Sequence, residues 1–136
     1  MKNSMRDCRL LPLGKINNSI GNMTVVEDVG SLPFKVKRVY YLCDVPSGEK
    51  RGGHAHRELS QLIIAAAGSF EVLLDDGKHQ ETVVLSRPDY GLLIVPGIWR
   101  ELMRFSSGAI CLVLASMVYD ETDYIRDYKK FIESKA

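Results

Sequence analysis

Arg51-Gly52-Gly53-His54-Ala55-His56-Arg57-Glu58-Leu59-Ser60-Gln61 is followed by Leu62-Ile63-Ile64-Ala65-Ala66-Ala67 and then Gly68. In a strand, residues two apart share a face, so His54 and His56 project together while Ala55 points away. Two imidazoles thereby converge on one hollow. Outward from this stretch the chain is a series of short β-branched or aromatic runs broken by Gly, Pro, Asp and Ser, the spacing of an all-β barrel or sandwich. The predicted strands are Met23 to Glu27, Lys35 to Cys43, Gly53 to His56, Gln61 to Ala67, Ser69 to Leu74, Glu81 to Leu85, Leu92 to Val95, Trp99 to Phe105 and Ala109 to Ser116. Asp75-Asp76-Gly77 separates two of them and supplies the positive φ angles of a tight hairpin.

The bulk numbers narrow the classes of function. A chain of 136 residues and 15.3 kDa, 46% apolar and 26% charged, has material for one core, so residues 1–136 are expected to form a single domain. Eighteen basic against seventeen acidic side chains leave +1, no global field for nucleic acid or an anionic membrane. The longest apolar runs fall short of the roughly 20 residues that span a bilayer, and Met1 to Leu13 carries charges where a signal peptide is apolar. The expectation is a soluble, cytoplasmic protein. Cys8, Cys43 and Cys111 are odd in number and outside any CxxC pattern, which suits free thiols better than a disulfide framework or zinc knuckle.

The tail changes period. From Asp120 onward Tyr124, Ile125, Tyr128, Phe131 and Ile132 recur at helical spacing, predicting a C-terminal α-helix laid on the barrel, with Asp120 or Thr122 as its cap. The lesser alternative makes Asp120, Glu121 and Asp123 a metal cluster. His79, beside the hairpin turn, is expected in solvent.

The spacing from His54 through His56 and Gln61 to Gly68 resembles the first motif of the cupin superfamily, whose fold is a double-stranded β-helix or jelly roll. Gly91-Leu92-Leu93-Ile94-Val95-Pro96-Gly97-Ile98-Trp99-Arg100 has the glycine, proline and strand-turn-strand shape of the second motif. Metal cupins use two histidines, a carboxylate and a later histidine. Here the carboxylate position holds the neutral amide Gln61 and the last position holds Arg100, a permanent cation without a free lone pair. No metal is expected. Two neutral imidazoles beside a fixed cation suit proton transfer on a bound anion. Arg38, Arg51 and Arg100 are candidates to hold phosphate or enolate oxygens, each having a plain surface ion pair as its alternative. On Lys37-Arg38-Val39-Tyr40-Tyr41 only one tyrosine can face the hollow with Arg38, and strand alternation selects Tyr40. Trp99 and Tyr41 are read as packing residues.

Lys37-Arg38-Val39-Tyr40-Tyr41, Arg51-Gly52-Gly53-His54-Ala55-His56, Trp99-Arg100-Glu101 and Tyr119-Asp120-Glu121-Thr122-Asp123-Tyr124-Ile125-Arg126 together resemble the dTDP-4-keto-6-deoxyhexose 3,4-ketoisomerases, from about Gly21 onward. The resemblance implies an isomerase that turns a 4-keto sugar nucleotide into its 3-keto isomer, a step toward 3-amino-3,6-dideoxyhexoses of surface glycans, with no cofactor. It implies catalytic roles for His54, His56 and Tyr40, His54 being the first choice of base, and substrate binding by Arg38, Arg51, Arg100 and Gln61. Arg100 in Trp99-Arg100-Glu101 goes with a gluco-type product, although Ile20 departs from the Tyr or Arg that family members carry near that position. It also implies a homodimer that exchanges N-terminal strands, Met23 to Val26 pairing with the neighbour. The alternatives are a sugar-nucleotide 3,5-epimerase and a non-catalytic cupin that binds a small molecule.

Overall fold

The computed structural model describes residues 1–27 and 32–136. One five-stranded sheet runs in the order β1 (Arg9–Pro12), β9 (Tyr90–Ile94), β6 (Gln61–Ala67), β11 (Ile110–Ala115), β4 (Arg38–Leu42). The other runs β12 (Tyr124–Ile125), β5 (Arg51–His56), β10 (Trp99–Met103), β7 (Phe70–Asp75), β8 (Gln80–Leu85). All these pairings are antiparallel. The sheets enclose a core that includes Ile63, Val72, Leu74, Leu92, Leu102 and Val113. This is the expected all-β jelly roll of cupin type.

Strand β6 shows why its sequence is apolar without alternation. Ile63 and Ala65 enter the central core, whereas Leu62 and Ile64 pack outward with Leu93, Leu114, Leu13 and Leu32. Both faces are covered, so polar residues have no place on it. The turn after it needs Gly68, with φ +64 and a position where a Cβ would lie 2.8 Å from the Ala109 Cα. Ala55, pointing away from the hollow, is fully buried with Trp99, Ile125 and Phe131. Phe131 belongs to the C-terminal helix α1 (Tyr128–Lys135), which seals the outer face of the second sheet.

Several expectations need correction. The helix does not begin at Asp120. Asp120 accepts from the Thr122 backbone N–H and caps only a 3₁₀ turn, Glu121–Asp123. Tyr124 and Ile125 then pair with His56 and Ala55 at the open edge of β5, and Asp127 caps the true helix by accepting from Lys130 N. A free strand edge outcompetes helix propensity over those two residues. The hairpin between β7 and β8 exists, but its loop is four residues, 76–79, closed by Asp76 N–H on His79 O. The predicted strands begin only at Met23, yet β1 pairs with β9, and β2 (Gly14–Asn18) pairs with β3 (Gly21–Val25). Their mostly exposed side chains leave no alternation to detect.

One irregularity shapes the site. Arg100 pairs with His54, but Leu102 pairs with Arg51, so β5 carries one extra residue at Gly52 and Gly53. Gly52 has φ +73, a conformation that side chains resist. Such a bulge re-aims the residues around it. Arg51 and His54, which a regular strand would send to opposite faces, consequently line the same cavity.

Candidate active site

Between the sheets, at the end where β4, β5 and β10 meet, lies a cavity of about 530 Å³. That is the range of small-molecule sites. Arg38, Tyr40, Arg51, His54, Gln61 and Arg100 all line it, Arg51 through the bulge and against regular strand alternation. On β4 the partly covered residues are Arg38, Tyr40 and Leu42, while Val39 and Tyr41 face outward. His79 is exposed and Trp99 is packed under α1, both as expected, whereas Tyr41, read as a packing residue, faces solvent because its side of β4 is left uncovered.

The histidine pair differs in depth from the simplest expectation. His54 and His56 lie on one face, their ring centroids 4.8 Å apart and their Nε2 atoms 3.1 Å apart. Only His54 lines the cavity. His56 is fully buried behind it, with the Tyr124 ring 4.4 Å from its own. Strand β12, which the sequence reading had placed in a helix, supplies that cover. His56 Nδ1 lies 2.9 Å from Asp123 Oδ2. Asp123 is itself buried and also accepts from the backbone N–H groups of Glu58 at 2.7 Å and Leu59 at 3.3 Å.

Arg100 is 1% exposed, unusual for a guanidinium. Its Nε and Nη2 donate to Ile98 O at 3.2 and 3.0 Å, and its Nη1 donates to Gln61 Oε1. Gln61 Nε2 in turn lies 3.4 Å from the Tyr40 hydroxyl. Burial lowers the Arg100 pKa to about 10, which leaves it a cation at neutral pH. The residues therefore do not fit the metal of metal-binding cupins, since an ion at His54 and His56 would face this cation with no carboxylate at Gln61. Arg38 donates through Nη2 to Tyr124 Oη at 3.4 Å, whereas its buried Nε has no partner among the described residues.

Electrostatics keep the imidazoles neutral. Burial lowers the pKa of both from 6.5, and the Arg100 cation lowers each further. Arg38 acts the same way on His56, Arg126 on both. The Asp123 carboxylate opposes the shift at His56, because an imidazolium there would gain a counter-charge at 2.9 Å. At the observed Nε2 separation the two rings cannot both present a proton to each other, so at least one Nε2 is bare. Burial raises the pKa of the Tyr40 phenol, which keeps its proton.

A family model described as FdtA: WxcM-like, C-terminal, matches residues 6–136. The chain belongs to the FdtA, WxcM-like family. A curated relative, TDP-4-oxo-6-deoxy-alpha-D-glucose-3,4-oxoisomerase of Aneurinibacillus thermoaerophilus, is 42% identical over 123 residues, covering 90% of this chain and 88% of the relative. Among solved structures, the WlaRB TDP-quinovose 3,4-ketoisomerase of Campylobacter jejuni is 43% identical with a TM-score of 0.89, covering 94% of this chain and 98% of that one. The sugar 3,4-ketoisomerase QdtA of Thermoanaerobacterium thermosaccharolyticum, solved in complex with TDP, is 37% identical with a TM-score of 0.94, covering 97% and 96%.

In this FdtA-family chain three site residues escaped the sequence reading. Tyr124 and Arg126 line the cavity, and Asp123 stands behind His56. Arg126 is held by Glu121 through Nε at 2.6 Å and Nη2 at 2.9 Å, with its guanidinium 4.2 Å from the Tyr124 ring centroid. The signal available was Asp-Tyr-Ile-Arg after a capping Asp120, but its helical period concealed a turn and strand. The acidic residues form no metal cluster: among the described residues no group of three His, Cys, Asp or Glu side chains is placed to hold an ion.

Proposed function

We propose that this chain isomerises dTDP-4-keto-6-deoxy-D-glucose to the 3-keto sugar, with His54 as the proton-transferring base. The observation that carries the reading is His54 on the cavity wall with His56 at hydrogen-bonding distance behind it, in a chain whose relatives are named as TDP-sugar 3,4-isomerases. The C4 carbonyl acidifies the proton on C3. His54 removes that proton, the C–H electron pair becomes the C3=C4 bond of an enediol, and O4 takes up a proton. A proton is then delivered to C4 while O3 loses its own and becomes the ketone. Oxidation at C3 and reduction at C4 balance within the sugar. Each positioned acid or base contributes about 10² to 10⁴ in rate.

Tyr40 stands near the sugar oxygens in this reading. Arg38, whose Nε–H lacks an acceptor among the described residues, and Arg51 at the cavity wall supply donors for phosphate oxygens. Arg100, its donors already committed to Ile98 and Gln61, acts on the enediolate through its charge. Its presence supports a gluco-type product, and so does the likeness to a quinovose-type enzyme. We place the reaction in the cytoplasm, on the way to 3-amino-3,6-dideoxyhexoses; Cys8, Cys43 and Cys111 are all free thiols. Among the described residues the β2–β3 hairpin pairs only with itself, and it exposes Ile16, Ile20 and Met23, which supports a homodimer in which it reaches a second copy. A monomer mass in light scattering would remove that assembly.

Product NMR tests the reaction. After incubation with dTDP-4-keto-6-deoxyglucose, loss of H3 with a ketone at C3 and an equatorial hydroxyl at C4 is expected. Inversion at C5 would make the chain an epimerase, and binding without turnover would make it a non-catalytic cupin.

A further inference from the structure

The relatives' names say nothing of the residue that stands behind the histidine pair. Asp123 is 5% exposed, sits at the end of the 3₁₀ turn that closes over β5, and has its carboxylate fixed by two backbone donors. Its own backbone holds the same segment from the other side, since Arg57 N–H donates to Asp123 O at 2.9 Å. Among the described residues no Lys or Arg pairs with it; its one ionisable partner is His56. A buried carboxylate aimed at one imidazole nitrogen imposes a tautomer on that ring.

Resting on the ketoisomerase reading above, we propose that Asp123 is the positioning residue of the pair, holding His56 as the Nδ1–H tautomer so that its Nε2 lone pair faces His54. The Nε2–H of His54 then donates to His56, and the lone pair left on neutral His54 is Nδ1. When the sugar's C3 proton reaches His54 Nδ1, the Nε2–H can move to His56 Nε2. His54 returns to neutrality, and the imidazolium forms where the Asp123 carboxylate compensates it. Reversal of the same shift sends a proton back through His54 to C4. No proton is gained or lost over the cycle.

The Asp123→Asn variant separates tautomer control from mere shape. Glu58 N–H lies 2.7 Å from Oδ1, closer than Leu59 N–H to Oδ2 at 3.3 Å, so the amide oxygen belongs opposite Glu58. The amide NH₂ then faces His56 Nδ1 and donates to it, which forces the proton onto Nε2 and sets two N–H groups against each other. Long-range ¹H–¹⁵N NMR of the histidine rings reads this without substrate. We expect His56 protonated at Nδ1 in the wild type and at Nε2 in the variant, with kcat lower by about 10²- to 10⁴-fold and KM nearly unchanged. Asp120→Asn is the structural control, since Asp120 caps the same turn without touching either histidine; it should keep both tautomer and kcat. Wild-type His56 protonated at Nε2 overturns the proposal, even if the Asp123 variant fails to fold. Equal kcat losses in the two variants with the tautomer unchanged overturn it too. A wild type with the expected tautomer but no ketoisomerase turnover strikes the functional reading instead.

Discussion

Replacing Arg100 by methionine removes the cation that stands directly across the β5–β10 ladder from His54. Cβ atoms of such a pair lie about 5 Å apart. With a charge separation of about 6 Å and an effective dielectric of about 20, the guanidinium raises the energy of a protonated His54 by about 3 kcal/mol, equivalent to about 2 pKa units. Methionine keeps much of the aliphatic volume, so the pocket walls survive. Ile98 O and Gln61 Oε1 lose their donors, which costs about 1 to 3 kcal/mol each, offset in part by relief from burying a cation. Burial, His56 and Arg126 still depress the His54 pKa, with Glu121 opposing them, so it rises in the variant yet stays below 6.5. A general base works in its neutral form, and activity falls as the pH drops through its pKa. The acid limb of kcat/KM should therefore move to higher pH in Arg100→Met, together with the His54 ring titration followed by NMR. Titrations that stay in place, or move to lower pH, would refute the electrostatic reading of Arg100.

Two further outcomes concern the fold that presents the site. Phe131 is fully buried against Ala55, Trp99 and Ile125, so Phe131→Ala should lose about 3 to 5 kcal/mol in urea unfolding, and a loss under about 1 kcal/mol would mean that α1 is not locked to the sheet. His54 and His56 have folded pKa values depressed below 6.5, so the stability they contribute is intact above that pH and declines as the pH falls through the window beneath it. One unit below 6.5 each should cost about 1.4 kcal/mol, measurable by denaturation at pH 5.5 against a His54→Asn, His56→Asn control.

Much of this was legible because strand periodicity is strict. The face shared by His54 and His56 and the inward turn of Arg38 and Tyr40 follow from alternation along β5 and β4, while Gln61 and Arg100 were legible from the spacing of the cupin-like motifs. What escaped was set by long-range pairing. Tyr124 and Ile125 become a strand only because β5 offers a free edge, and that pairing buries His56 and brings Asp123 to it. The bulge at Gly52 had a local signal in Gly52-Gly53, yet its effect on Arg51 depends on the register against β10. Strands β1 and β2 left no periodic mark because their side chains are largely exposed.

The most direct test of proton transfer by His54 is single-turnover NMR in D₂O with dTDP-4-keto-6-deoxyglucose, comparing the wild type with His54→Asn. The wild type should lose the H3 signal as a hydrogen appears at C4, while the variant should bind TDP as before and show both events slowed by at least about 10²-fold. Undiminished isomerisation in the folded variant would contradict the assignment.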